Sequence, residues 1–136
     1  MDWFECNKKR IVKEVNIDLD LINSLKKTSI NKLNSENKLE LDEITASSKI
    51  SLAYDSLREL LEALALQNKF KIYNHECYTP FLKEILNEHK KAEEFDELRK
   101  IRNNINYYGK DISIIEAKEV IDRLEKLRED ILKLII

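Results

Sequence analysis

A stretch in the C-terminal third of the chain combines residue types that could bind a phosphate. Residues 98–110, LRKIRNNINYYGK, hold Arg99, Lys100, Arg102 and Lys110 and no acidic residue. On a helix, Arg102 and Asn106 are four positions apart and therefore share one face. A guanidinium is a planar fork that binds two phosphate oxygens and keeps its charge. The spacing predicts a side-chain site for an anionic group on this helix.

The other side of the same predicted helix is apolar. Ile101, Ile105 and Tyr108 fall in register with Phe95 and Leu98 at three- and four-residue steps. Such a stripe is typical of a helix that buries one side. We therefore expect the guanidinium, the amides and a phenol to lie on the side that stays accessible.

The same residues also admit a purely structural interpretation. Basic side chains near the end of a helix complement the negative end of its dipole. Gly109, the only glycine of the chain, is well placed to end the helix as a left-handed cap. Spacing alone leaves both interpretations open.

The order of residue types adds a resemblance to a known family. Arg102-Asn103 followed by Tyr107 resembles the signature of the HEPN domain family, in which an arginine and a polar residue usually precede a histidine. Many archaeal and bacterial members resemble this chain in carrying a tyrosine instead, and no histidine follows Arg102 here. The resemblance covers residues 19–134, although its specific part is this short motif.

The resemblance implies a fold, an assembly and a range of activities. HEPN proteins are helical homodimers in which the arginine motifs of both subunits face one cleft. Many are metal-independent ribonucleases that act as toxins or defence nucleases. Others pair with a minimal nucleotidyltransferase, an antitoxin that modifies the motif tyrosine, and a third group binds RNA or nucleotides. No cofactor or metal is implied.

The resemblance also assigns candidate site residues. It makes Arg102, Asn103 and Tyr107 the candidate catalytic residues. A histidine and glutamate pair at the matching place also resembles the archaeal members, and a cleft of this kind would contain more polar groups. The candidate residues for binding RNA or nucleotide are Arg102, Asn106, Tyr108, His75 and Arg58.

The chemistry of the motif favours binding over cleavage. RNA cleavage without a metal needs deprotonation of the 2′-hydroxyl, stabilisation of the phosphorane charge and protonation of the leaving oxygen. Arg102 suits the second task, and Asn103 can orient it. A tyrosine phenol, with an ordinary pKa of about 10, is a poor base at neutral pH. Loss of general acid–base help costs roughly 10²–10⁴ in rate, so we expect weak or absent cleavage unless His75 substitutes.

Three functions therefore remain. The first is a binding module of a toxin–antitoxin-like system, paired with a minimal nucleotidyltransferase. The second is a metal-independent HEPN ribonuclease that uses Arg102. The third is a helical interaction protein in which Arg102 makes only structural ion pairs.

Composition sets the class of protein and the kind of RNA contact that is possible. The 136 residues, 43 % apolar and 37 % charged, suit a single domain. Residues 1–17 form a lead-in segment that we expect to pack loosely apart from Trp3 and Phe4, which anchor the terminus. One glycine and one proline leave little turn chemistry for a sheet, which predicts an all-α fold. The net charge of −2 provides no global attraction for nucleic acid. Any RNA contact must come from a local patch or from pairing two subunits.

The cysteines and the hydropathy pattern predict the location. Cys6 and Cys77 lack metal-ligand spacing, and the chain shows neither a signal peptide nor a hydrophobic run of membrane length. These features predict a cytoplasmic protein with reduced thiols and no membrane contact.

Periodicity and cap signals predict an up-and-down four-helix bundle with an additional short helix. The short helix begins either at Asn74 or at Thr79-Pro80, and the sequence favours neither. The four main helices are predicted at 19–33 after an Asp18 cap, at 41–67 as the core helix, at 91–107, and from the Ser113 capping box to the C-terminus.

The core helix carries four polar residues of interest, Tyr54, Asp55, Arg58 and Glu62. They could be solvent-edge residues or ordinary pairs at four-residue spacing. Alternatively, Tyr54, Asp55 or Arg58 could support a shared polar site.

Overall fold

The computed structural model describes residues 1–109 and 111–136. Helix accounts for 72 % of the residues, so the predicted all-α class is confirmed. No helix within the described ranges is long and apolar enough to cross a membrane. In chain order the elements are α1 (Trp3–Lys8), β1 (Val12–Glu14), α2 (Leu19–Lys38), α3 (Ala46–Gln67), β2 (Phe70–Ile72), α4 (Tyr78–Pro80), α5 (His89–Tyr108) and α6 (Ile114–Leu132). A 3₁₀ turn, His75–Cys77, precedes α4, and a π turn, Phe81–Ile85, follows it.

Helix α3 is the centre of the molecule, as its sequence predicts. It contacts α2, α5, α6 and β2. It begins at Ala46 rather than at residue 41 because Asp42 forms a capping turn, in which its carboxylate accepts from the amides of Ile44 and Thr45 at 2.8 Å. Its fully buried leucines are Leu57, Leu60 and Leu61, with Leu64 almost fully buried.

Helix α2 continues to Lys38, past residue 33, where the sequence predicts its end. The carboxylate of Glu36 is buried there and lies 2.9 Å from Nζ of Lys49. The same ammonium donates to the backbone carbonyls of Glu36 and Leu39. This paired charge stabilises the last turn of the helix, which propensity alone predicts to end earlier.

The predicted caps are confirmed. The carboxylate of Asp18 accepts from the amide of Leu21 at 3.0 Å, and the hydroxyl of Ser113 accepts from the amide of Glu116 at 3.1 Å. Gly109 ends α5 with φ of 62°, a left-handed conformation that glycine adopts without steric cost.

A two-stranded sheet was not predicted from the sequence. β1 and β2 pair antiparallel, with Val12 opposite Ile72. Helices α2 and α3 lie between the two strands in the chain, so no tight hairpin turn is needed. Scarcity of glycine therefore does not exclude the sheet. In the turns before the strands, Arg10 and Lys69 adopt the left-handed conformation that glycine usually provides, with φ values of 59° and 67°.

The N-terminal segment packs on the core, so the expectation of loose packing is wrong. Trp3 anchors it as predicted, whereas Phe4 is exposed. Trp3 packs edge-on against Phe70, with ring centroids 5.1 Å apart, and also contacts Phe81. Cys6 is fully buried and forms a disulfide with Cys77. The prediction of reduced thiols is wrong as well, because cysteine pairing is spatial and these residues lie 71 positions apart.

Of the two predicted starts of the short helix, Asn74 is used and Thr79-Pro80 is not, since α4 begins at Tyr78. The side chain of Asn74 accepts from the amide of Glu76 at 2.9 Å and caps the 3₁₀ turn. Pro80 lies in α4, where its fixed φ suits a short helical turn.

Removal of the disulfide tests how strongly it anchors the N-terminus. We expect the double substitution Cys6→Ala and Cys77→Ala to lower the free energy of unfolding by about 4 kcal/mol, because the bond closes a long loop in the unfolded chain. Urea unfolding followed by circular dichroism measures the change. Adding reductant to the wild type should produce the same loss, and two freely titrating thiols in the untreated native protein would contradict the assignment.

Candidate functional site

The side chain of Arg102 lies on an aromatic ring. Its guanidinium carbon is 4.8 Å from the centroid of the Tyr54 ring. Tyr54 belongs to α3 and is fully buried, whereas 14 % of the Arg102 side chain is exposed. The attraction between a cation and the face of an aromatic ring holds the guanidinium at the edge of the core.

The three candidate catalytic residues lie together. Nη1 of Arg102 donates to the hydroxyl of Tyr107 at 3.4 Å and lies 3.5 Å from Oδ1 of Asn103. The guanidinium also contacts the Tyr107 ring, 5.6 Å from its centroid. Tyr107 is 70 % exposed. Arg102 therefore contacts one buried and one exposed tyrosine.

Arg102 differs from its neighbours in how its charge is compensated. Its nearest carboxylate oxygen, Oδ1 of Asp55, is 4.0 Å away, which is too far for a hydrogen bond. Its buried Nε has no hydrogen-bond partner among the described residues, which is also true of Nε of Arg99. Four other arginines each donate to a carboxylate at 3.3 Å or less: Arg58, Arg99, Arg123 and Arg128.

His75 joins the cluster from the 3₁₀ turn. Its Nδ1 is 3.2 Å from the hydroxyl of Tyr54. Burial lowers the pKa of His75 to about 4, and the positive charges of Arg58, Arg102 and Arg99 act in the same direction. Burial raises the pKa of Tyr54 to about 12. At neutral pH the site therefore contains a neutral imidazole and a neutral phenol beside a guanidinium.

A second contact fixes the segment that carries His75 against α5. The hydroxyl of Thr79 donates to Oδ1 of Asp96 at 3.1 Å, and Arg99 donates to the same oxygen at 2.9 Å. Sequence reasoning missed this group, although Asp96 lies three and four positions before Arg99 and Lys100, a spacing that predicts helical ion pairs. The contact between α5 and Thr79 could not be predicted from spacing.

The other candidate binding residues differ in what they contact. Arg58 forms an ion pair with Glu62 at 3.3 Å, and its positive charge also helps to lower the pKa of His75. Asn106 accepts from Ser51 at 3.2 Å and does not contact Arg102 in the described part of the chain. Tyr108 is the last residue of α5, and its side chain lies outside the described residues, as does Lys110.

The interpretation of Tyr54 as a solvent-edge residue is wrong, because its side chain is fully buried. Arg58 does form the predicted pair at four-residue spacing. Tyr54 and Asp55 of α3 both lie against Arg102 of α5, which agrees with the alternative of a shared polar site.

The cluster lies at the edge of the core, with Tyr54 fully buried, Arg102 mostly buried and Tyr107 exposed. Arg102 lines none of the five prominent depressions formed by the described residues. The described ranges also contain no group of three histidine, cysteine, aspartate or glutamate side chains that could hold a metal ion. The cluster can bind an anion through the guanidinium of Arg102 and exchange a proton through the neutral imidazole of His75.

No protein-family model, curated protein or solved structure matches this chain. The resemblance to the HEPN family therefore stays a prediction that rests on Arg102, Asn103 and Tyr107.

The low pKa of His75 predicts a pH dependence of stability. The pKa falls from 6.5 in the unfolded chain to about 4 in the fold, so the unfolded chain binds more protons between these values. We expect the free energy of unfolding to decrease as the pH falls from 6.5 towards 4. In His75→Gln this part of the decrease should be missing, as measured by denaturant unfolding at several pH values.

The matched control is His89→Gln, which replaces an exposed histidine that does not contact Tyr54. This variant should follow the wild type across the whole range. A His75→Gln curve parallel to the wild type between pH 4 and 6.5 would contradict the burial of a neutral imidazole.

Proposed function

We propose that the protein is a HEPN-like module that binds RNA or nucleotide phosphate through Arg102. In this proposal the fold is the up-and-down four-helix bundle of that family, and two subunits pair so that both copies of Arg102 face one cleft. The module belongs to a toxin–antitoxin-like system and has a minimal nucleotidyltransferase as its partner.

The observation that carries the proposal is the state of the Arg102 guanidinium. It lies on the Tyr54 ring, and its one ion pair within the described ranges, to Asp55, is long at 4.0 Å and makes no hydrogen bond. Its Nη1 donates to the exposed hydroxyl of Tyr107. A phosphate therefore competes with a long, partly exposed ion pair and not with a buried hydrogen-bonded one, whose loss would cost several kcal/mol.

The neighbouring groups have defined tasks in this proposal. Asn103 contacts the guanidinium and supplies an amide for a second phosphate oxygen. Tyr107 is exposed and adjoins the guanidinium, which suits both stacking on a base and modification by the nucleotidyltransferase. Arg99 and Arg58 add positive potential although each is paired with an acid.

A metal-independent ribonuclease is the second candidate, and one observation favours it. His75 reaches the Tyr54 hydroxyl, so an imidazole lies in the cluster although none follows Arg102 in the chain. With a pKa of about 4 it is neutral at pH 7 and can accept a proton, but it is a weak base. Cleavage through His75 would therefore be slow.

The proposal places the protein in the cytoplasm. The Cys6–Cys77 disulfide is compatible with this location in hyperthermophiles, whose intracellular proteins are often disulfide-bonded. A high content of charged residues is also typical of hyperthermophile proteins, and 37 % of this chain is charged.

Arg102→Ala tests phosphate binding directly. We expect the wild type to bind a short single-stranded RNA in EDTA, and we expect the variant to bind it about 10- to 100-fold more weakly, because hydrogen bonds from a charged donor are lost. Arg102→Lys should be intermediate, since an ammonium lacks the bidentate fork. Fluorescence anisotropy measures the affinities.

The matched control is Arg123→Ala, which removes the same charge from a guanidinium bound to Glu94. It should leave RNA binding unchanged. Equal affinities for Arg102→Ala and the wild type, with a loss of folding stability instead, would favour the helical interaction protein. A wild type that stays monomeric in analytical ultracentrifugation would contradict the dimeric cleft.

Cleavage of the same RNA in EDTA separates the two candidates. Binding without cleavage supports the module. Cleavage that disappears in both Arg102→Ala and His75→Gln supports the ribonuclease, and under that outcome the rate should fall as the pH drops towards 4, because the base becomes protonated. Denaturing gel electrophoresis of end-labelled RNA reads out the reaction.

A further inference from the structure

The two-stranded sheet brings two lysines together without a compensating acid. Lys13 and Lys71 are directly opposite each other in the ladder. Side chains at such positions lie about 5 Å apart, and like charges there destabilise the pair. Neither ammonium makes an ion pair or a side-chain hydrogen bond with any described residue. An external anion would relieve this repulsion.

More basic residues flank this pair. Four exposed residues lie at the end of α1 and in the turns that lead into the strands, and none of them makes an ion pair within the described ranges. The acidic residues nearest to them in the sequence are Glu5 of α1 and Glu14, which ends β1. The four are Lys8, Lys9, Arg10 and Lys69.

An exposed aromatic ring adjoins the lysines. Tyr73 follows β2 and is 59 % exposed, and its amide donates to the carbonyl of Ile11 at 2.9 Å, which extends the ladder by one residue pair. Nζ of Lys71 lies over its ring, 5.6 Å from the centroid, in a cation–π contact. An exposed ring and a basic side chain together offer the two kinds of contact, stacking and charge, by which single-stranded nucleic acids are bound.

The sheet also borders a depression and the Arg102 cluster. A depression of about 670 Å³ lies at the end of the sheet where Glu14 pairs with Phe70, and Lys13, Lys69 and the acidic Glu14 line it. At the opposite end of the sheet, where Val12 pairs with Ile72, the chain runs from Lys71 through Tyr73 to His75, whose ring contacts Tyr54. Four residues span at most about 14 Å, so the sheet and the cluster are neighbours.

We propose that this basic sheet surface, formed by Lys13, Lys71 and Tyr73, is a second contact for single-stranded RNA. It binds phosphates through the two ammonium groups and stacks a base on the tyrosine. The lysines carry affinity that does not depend on sequence, whereas Arg102 binds one phosphate at a defined place. The choice of RNA as the polyanion rests on the proposed function, but the surface itself does not include Arg102.

The test compares Lys13→Gln/Lys71→Gln with Lys27→Gln/Lys38→Gln. The second pair removes two exposed lysines of α2 that also make no ion pair among the described residues. Binding of a single-stranded RNA of about 12 nucleotides is measured at several salt concentrations. For the sheet variant we expect a slope of log K against log salt that is shallower by about 1.4, and binding near 0.1 M salt that is weaker by roughly one order of magnitude. The α2 variant should behave like the wild type.

Tyr73→Leu tests the stacking contact. It should weaken binding of the single strand by at least about fivefold while it leaves the salt slope unchanged, because it removes a ring and no charge. Equal loss for single-stranded and double-stranded RNA would overturn the stacking role, since paired bases cannot stack on the ring.

The outcomes separate this inference from the proposed function. If the sheet variant binds like the wild type while Arg102→Ala binds weakly, the sheet surface is refuted and the Arg102 site stands. If only the sheet variant is weakened, the surface stands and the Arg102 site is refuted. If the wild type binds phosphatidylserine vesicles and not RNA, and the sheet variant loses this binding, the surface serves a membrane and the RNA assignment is overturned.

Discussion

The candidate site depends on the contacts that the buried ring of Tyr54 makes with its neighbours. Its face holds the guanidinium of Arg102, and its hydroxyl meets His75. The same ring stacks on Phe95, at 6.1 Å between centroids, and is therefore fixed by the core. A buried tyrosine hydroxyl needs a hydrogen-bond partner, and here the partner comes from the turn that carries the imidazole. Packing of α3 against α5 thus sets the relative positions of an arginine and a histidine 27 residues apart in the sequence.

The turn with His75 is too short to hold its own geometry, so neighbouring contacts must do so. A 3₁₀ turn of three residues makes few internal hydrogen bonds. The disulfide fixes its last residue, Cys77, to α1, and the ladder fixes the preceding strand to β1. Further along, Thr79 is bonded to Asp96 of α5. The N-terminal segment therefore has a role in the site although it contributes no functional group, because it restrains the element that positions the imidazole.

The sequence was sufficient wherever local patterns decide the structure. Caps at Asp18, Ser113 and Gly109 and the core face of α3 follow from local hydrogen bonding and periodicity, and these predictions are confirmed. Long-range pairings were not predictable, because neither the disulfide nor the sheet leaves a periodic signal. The site shows the same division. Helical spacing paired Arg102 with Asn106, which is bonded to Ser51 instead, and only the family motif grouped Arg102 with Tyr107. The position of Arg102 on Tyr54 depends on how two helices pack.

The formal charge of the chain describes its surface poorly. Twenty-four basic and 26 acidic residues nearly balance, and this balance predicted no general attraction for a polyanion. The acids, however, are not distributed evenly: Asp96, Glu94 and Glu62 are paired with cations of the helical core. The lysines of the sheet make no such pair among the described residues, so the potential there is set by unpaired ammonium groups. Since exposed charges beyond about 10 Å are screened at ordinary salt concentrations, a polyanion responds to this local excess and not to the net charge.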